Sequence, residues 1–258
     1  MTAIALAAAE KVFANGVRAL DPLTLRIDEG AFATVVGPSG CGKSTLLRLA
    51  AGLTAPSSGT VRLWPDASAG AARRLAFVFQ SATLMAWADV EKNVRLPLDL
   101  EDAAMRDPAA DARVRRALAL VGLEDFRHAY PAELSGGMQM RVSIARALVT
   151  EPALLLMDEP FGALDEITRT RLDRELAELW ARERLTVLFV THSIFEAVFL
   201  STRVIVMSPR PGRVVGDLAV DEPHPRTEAF RVSTRFAAYC ERVSTLLASA
   251  MEDAGVTQ

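Results

Sequence analysis

Cysteine is nearly missing from this 258-residue chain, with Cys41 and Cys240 its only two. They are too few and too far apart in sequence for a disulfide framework or a thiolate metal cluster, which points to a reducing compartment. Long apolar runs are missing too. The apolar stretch at 4–9 is about a third of the length a bilayer crossing needs, and Glu10 and Lys11 interrupt it, so neither a spanning helix nor a signal peptide is expected. Charge of one sign is also lacking: 29 Lys and Arg stand against 32 Asp and Glu. That balance offers no broad positive surface, and nucleic acid is not expected as a partner. There is no internal repeat and no low-complexity linker. Hydrophobic residues at 50% and charged residues at 24% argue against both disorder and a membrane-embedded protein. The length suits one α/β core carrying subdomains.

What is present begins with short apolar runs at 32–36, 75–79, 153–157, 185–190 and 204–207, alternating with helical segments. This alternation predicts an α/β fold with a mostly parallel sheet covered on both faces. Residues 44–51 read as a helix closing at Gly52. Residues 81–150 read as helix-rich, with Pro97, Pro108 and Pro131 as punctuation, and predict a helical insertion. Before residue 30, strand-like residues around Phe13 and at 23–27 predict a small antiparallel lobe. Past residue 215 the signals weaken into a connector at Pro223, His224 and Pro225. Phe236, Tyr239, Cys240, Val243 and Leu247 then form an i, i+3, i+4, i+7, i+11 stripe, which predicts a final amphipathic helix docked on the chain's own core.

Three motifs carry chemistry. In Gly37-Pro38-Ser39-Gly40-Cys41-Gly42-Lys43-Ser44-Thr45, small residues let backbone N–H groups converge on an anion while the following helix turns its positive end to the same point. Lys43 adds a full charge for the β- and γ-phosphates, Ser44 a hydroxyl for Mg²⁺, and Thr45 another donor. The second motif is the apolar strand at 153–157 running into Asp158 and Glu159. At a strand end the chain turns, so both carboxylates can face the phosphates, Asp158 suited to Mg²⁺ and Glu159 to polarising water as general base. The third, Leu134-Ser135-Gly136-Gly137-Met138-Gln139, opens a helix with Met138, Val142, Ala145 and Val149 at helical spacing. Its exposed N–H groups and the Ser135 hydroxyl form a second anion site, one that needs a nucleotide bound elsewhere, most simply on a second copy.

Together these residues resemble the ATP-binding subunits of ABC transporters, over nearly all of residues 3–215. The resemblance implies a P-loop NTPase fold with a RecA-like parallel core, an N-terminal antiparallel lobe and a helical subdomain at about 81–149. It implies an ATPase unit over 1–215 and a tail over 216–258. Residues 37–45 are similar to the Walker A loop, Gln80 to the Q-loop glutamine, 134–139 to the signature, and Asp158 and Glu159 to the end of Walker B. Ala163-Leu164-Asp165 is similar to the D-loop, His192 to the switch histidine that contacts the γ-phosphate, and Phe13 to the aromatic that stacks on adenine. The roles implied are catalysis by Glu159, His192, Lys43 and Gln80, and Mg²⁺ held by Ser44, Gln80 and Asp158. Nucleotide contacts are implied for Phe13, the 37–45 loop, Gln80, Ser135, Gly136, Gly137, Gln139 and Asp165, with ATP and Mg²⁺ as the bound species.

Within the family the runs around Asp158, His192 and Arg210 look most like nitrate/sulfonate/taurine-type importers, with Ser193 where aspartate is more usual. The resemblance implies an ATP-sandwiched homodimer at the cytoplasmic face of the inner cell membrane, peripheral to integral-membrane permease subunits and serving an extracytoplasmic solute-binding protein indirectly. Leu84, Met85 and Trp87 would offer apolar contact to the permease; Ala86 stands where importers commonly carry proline. An exporter subunit, or a soluble family ATPase acting on ribosomes or DNA, would share the nucleotide motifs. The latter usually adds a second cassette, a coiled coil or a basic arm, and none is found here.

Overall fold

The computed structural model describes residues 1–66, 74–101 and 109–255. β1 (Thr2–Val12) pairs antiparallel with β2 (Arg18–Asp28), β3 (Phe32–Val36) leads into α1 (Lys43–Ala50), and β4 (Ser58–Leu63) returns to the other edge of β1. The N-terminal lobe expected from sequence is thus a three-stranded antiparallel sheet. Its buried Ile4, Leu6, Leu23, Leu25 and Ile27 pack in one cluster with Leu46 and Leu47 of α1.

β5 (Leu75–Val78) is followed by α2 (Val90–Glu101), α3 (Ala110–Leu120) and α4 (Gly136–Leu148), and then β6 (Leu154–Asp158) pairs parallel with β5. The helical insertion therefore connects two neighbouring strands. Pro97 lies inside α2 instead of punctuating it. A proline removes one helical hydrogen bond, and here Val90, Val94 and Leu98, all buried, keep the helix seated across it. Pro108 lies outside the described residues.

α5 (Glu166–Glu183), β7 (Thr186–Thr191), α6 (Ile194–Leu200), β8 (Arg203–Met207) and β9 (Val214–Ala219) complete a sheet of order β5-β6-β7-β3-β8-β9. Its first five strands are parallel and β9 is antiparallel to β8. Side chains divide by parity. Phe32, Val36, Leu155, Met157, Val187, Phe189, Val204 and Val206 face the helices, whereas Ala33, Val35, Leu154, Leu156, Leu188, Val190, Ile205 and Met207 face α1 and the N-terminal lobe.

β9 is the strand the sequence pattern conceals. It buries only Leu218, as an edge strand does, and it carries Gly216 and Asp217. Residue 215, the boundary expected from sequence, falls within it. α7 (Glu228–Arg231) and α8 (Thr234–Asp253) follow. α8 buries Phe236, Tyr239 and Val243 and packs on α6, β8 and β9, so the predicted stripe docks on the chain's own core. Each such side chain contributes roughly 1.5–3 kcal/mol. No helix among the described residues is long and apolar enough to cross a membrane.

Candidate functional site

The carboxyl ends of β3 and β6, neighbours across β7, set the site. Ligands in open α/β sheets gather at this edge. From β3 the chain enters the glycine loop, and the turn into α1 is made by Gly42 at φ +108°, where a Cβ would meet the Ala19 carbonyl oxygen at 2.7 Å. Only glycine fits there. Ser39, Gly40, Gly42, Lys43, Ser44 and Thr45 line a cleft of about 310 Å³ together with Gln80, Glu159 and Arg210. Gly37, Pro38 and Cys41 sit behind it. The Gly37 and Pro38 carbonyls accept hydrogen bonds from Lys43 Nζ at 2.9 and 3.0 Å. Cys41 is 1% exposed, and burial, its largest influence, raises its thiol pKa despite Lys43 nearby, which makes it an inert filler.

The two carboxylates at the end of β6 do reach the same helix start. Glu159 adopts φ +45°, a left-handed conformation costly for a side-chain-bearing residue, while its N–H holds the Val190 carbonyl at 2.9 Å. That turn breaks the strand alternation, so Asp158 meets Ser44 and Glu159 meets Lys43. Ser44 Oγ donates to Asp158 Oδ1 at 2.8 Å, and Lys43 Nζ lies 3.5 Å from Glu159 Oε1. Burial, opposed by the Ser44 bond, raises the Asp158 pKa above the usual carboxylate range. On its other side, Glu159 Oε2 lies 3.2 Å from His192 Nδ1.

No group of three or more His, Cys, Asp or Glu side chains among the described residues forms a closed metal cage. The Ser44–Asp158 oxygens at the mouth of a phosphate cradle do fit Mg²⁺, which takes few protein oxygens and completes its shell with water and substrate phosphate. Gln80 is exposed and lines the same cleft.

Ser135, Gly136, Gly137, Gln139 and Asp165 do not line that cleft. They build a separate ridge. Ser135 caps α4 by accepting from the Met138 N–H at 3.3 Å, and Asp165 caps α5 by accepting from the Thr168 N–H at 3.0 Å, the bond that chiefly lowers its pKa. A Cβ on Gly137 would lie 2.8 Å from Thr168 Cγ2, so the two helix starts are pressed together. The Gln139 amide turns back to the Pro131 and Leu134 carbonyls at 3.0 and 3.3 Å. Phe13 stands at the tip of the β1–β2 hairpin, 40% exposed, with Lys11 Nζ 5.5 Å from its ring centre.

Residues not assigned from sequence hold the loops around Glu159 and His192. Thr191 Oγ1 donates to Glu196 and accepts the Ser193 N–H, bracketing His192. Arg169 joins the same Glu196, at 3.6 Å, to the Phe161 and Leu164 carbonyls on the chain leaving Glu159. No motif in the sequence points to the Arg169–Glu196 link, which joins α5 to α6 across β7. Arg210, assigned no role from sequence, also lines the cleft.

The family model described as ABC transporter matches residues 20–162. The chain is 48% identical over 235 residues to an ATP-binding protein of Brucella abortus (strain 2308), covering 89% of this chain and 87% of that one. It is 40% identical over 212 residues to the aliphatic sulfonates import ATP-binding protein SsuB of Bacillus cereus (strain ATCC 10987 / NRS 248), covering 82% of each. Among solved structures, the dimeric post-hydrolysis state of the ATP-binding cassette MJ0796 bound to ADP and Pi aligns with a TM-score of 0.72 at 32% identity, over 85% of this chain and 100% of that one. The chain belongs to the ABC transporter family, as an ATP-hydrolysing cassette of P-loop NTPase fold whose hydrolysis is coupled to transport.

Proposed function

We propose that this cassette drives uptake of a small anionic or polar solute, such as a sulfonate, taurine or nitrate, through a separate membrane permease. The likeness to a sulfonate import subunit supports the direction and the solute class. Trp87 supports a permease-facing surface: it is 80% exposed on a loop beside the partly buried Leu84 and Met85. Docked there, the cassette would sit at the cytoplasmic face of the cell membrane, fed by a solute-binding protein on the other side.

The observation that carries the catalytic reading is Glu159, whose carboxylate lies between Lys43 Nζ at 3.5 Å and His192 Nδ1 at 3.2 Å. Glu159 takes the proton of the attacking water. His192 orients that carboxylate and reaches the terminal phosphate, Lys43 offsets phosphate charge, and Gln80 orients groups at the cleft mouth. Bound Mg²⁺ would neutralise phosphoryl charge as a Lewis acid, and Ser44 and Asp158 are the side chains that would hold it, with Gln80 within the same cleft. Phe13, exposed at its hairpin tip, offers a face to adenine. Ser135, Gly136, Gly137, Gln139 and Asp165 lie outside the lining of their own chain's cleft. This favours a head-to-tail pair in which each copy's ridge closes the other's cleft.

Glu159→Gln should keep ATP binding and slow hydrolysis by roughly 10²–10⁴-fold, read from steady-state phosphate release. Normal turnover in that variant would refute its role as base. For direction and cargo, the test is capture of the permease from native membranes followed by uptake assays with candidate anions.

A further inference from the structure

The Ser208-Pro209-Arg210-Pro211-Gly212 loop is clamped against the phosphate cradle. Ser208 Oγ donates toward the Pro209 and Pro211 carbonyls at 2.9 and 3.2 Å and accepts the Arg213 N–H at 3.0 Å. Gly212 donates its N–H to the Ala19 carbonyl at 3.0 Å and accepts from Asp21 at 3.1 Å. A Cβ at Gly212 would lie 2.2 Å from the Cys41 carbonyl oxygen, so this loop touches the cradle backbone where no side chain fits. Two prolines and these bonds leave Arg210 projecting from a stiff support.

Arg210 is exposed and lines the same cleft as Lys43, Ser44 and Thr45. Its Nε donates to the Gly40 carbonyl at 3.0 Å. Among the described residues its two terminal nitrogens have no acceptor and no carboxylate partner, unlike the neighbouring Arg213, which faces Asp21 at 3.8 Å. One edge of the guanidinium is thus fastened to the loop and the other is open in a cleft built for phosphate. Such a fork suits two phosphate oxygens, which a lysine ammonium cannot bridge in the same way.

We propose that Arg210 is a further nucleotide-binding residue of this cassette, tethered through Nε to Gly40 and donating its terminal N–H groups to a phosphate of the bound nucleoside di- or triphosphate. This rests on the reading of the cleft as the ATP site. The ligand it recognises is the phosphate chain, with no contribution to the attack of water, so the effect falls on affinity and not on turnover at saturation.

The test is isothermal titration of Mg·ADP and a non-hydrolysable Mg·ATP analogue into the wild-type chain and into Arg210→Met, Arg210→Lys and Arg213→Met. Loss of one charge-assisted pair predicts about tenfold weaker binding for Arg210→Met, with kcat within about twofold. Arg210→Lys should fall between, and Arg213→Met should bind as wild type. Unchanged melting without nucleotide separates a binding loss from misfolding. If wild type binds and Arg210→Met binds equally well, the proposal is overturned and the cleft reading stands. Weakened dimerisation with intact ADP affinity would also overturn it, assigning the arginine to a second copy. If wild type binds neither nucleotide, both fail.

Discussion

At His224 the fold settles the protonation state of one ring. Its imidazole stacks edge-on against Trp180 at 4.6 Å, neither nitrogen has a hydrogen-bond partner among the described residues, and burial, reinforced by the Arg226 charge, lowers its pKa from 6.5 to about 4. The native state therefore favours the neutral ring, and the stability this contributes is fully present above 6.5. It is lost as pH falls through the window from 6.5 to about 4. His224→Phe keeps an aromatic against Trp180 and cannot titrate, so its melting temperature should vary less with pH across that window than the wild type's. Equal slopes would mean the ring is solvated. The sequence marked His224 only as part of a proline-flanked connector. Glu159 teaches the same lesson at the site: its carboxylate was legible beside Asp158, but its left-handed backbone, which sends the two acids to different partners, was not.

At the scale of elements, α4 ties two loops together. Ser135 caps its start, and near its other end Arg146 donates to the Ala82 and Thr83 carbonyls at 2.8 and 2.9 Å, on the stretch just after Gln80. From α2, buried Asn93 completes that stretch: its Oδ1 accepts from the Met85 N–H at 2.7 Å and its Nδ2 donates to carbonyls of Met85, Ala88 and Asp89. This is the support that holds Trp87 out in solvent. Asn93→Ala would strand several buried polar groups and should cost about 2–3 kcal/mol in urea unfolding. It should also raise protease sensitivity near Trp87, a local readout that a distant packing defect would leave alone. Strand positions were readable because β3, β6, β7 and β8 are buried on both faces over nearly all their length and are mostly apolar. β9 was not, because an edge strand with one buried residue resembles a loop.

For the whole molecule, the separation of cleft and ridge is the dominant fact. If each ridge closes a second copy's cleft, Glu159→Gln with Mg·ATP should scatter X-rays as a dimer. Adding Ser135→Arg should return it to protomers while nucleotide still binds. A monomer in the first case would refute the paired arrangement. Loss of the Ser135 cap costs only about 1 kcal/mol, so the second variant should still fold.

The amino-acid sequence by itself determined the phosphate loop, the acid pair, the helix opened by Ser135 and the strands around them, because each depends on neighbours within a few residues. Glycine spacing, an apolar run ending in carboxylates and a capped helix start are local facts. Only the tertiary structure decided that Lys43 and His192 flank one carboxylate, that Arg169 joins the loops bearing Glu159 and His192 through Glu196, and that Arg210 lies beside Gly40 across 170 positions. Those contacts come from parallel strand order and loop packing, which bring together residues whose separation along the chain leaves no periodic trace.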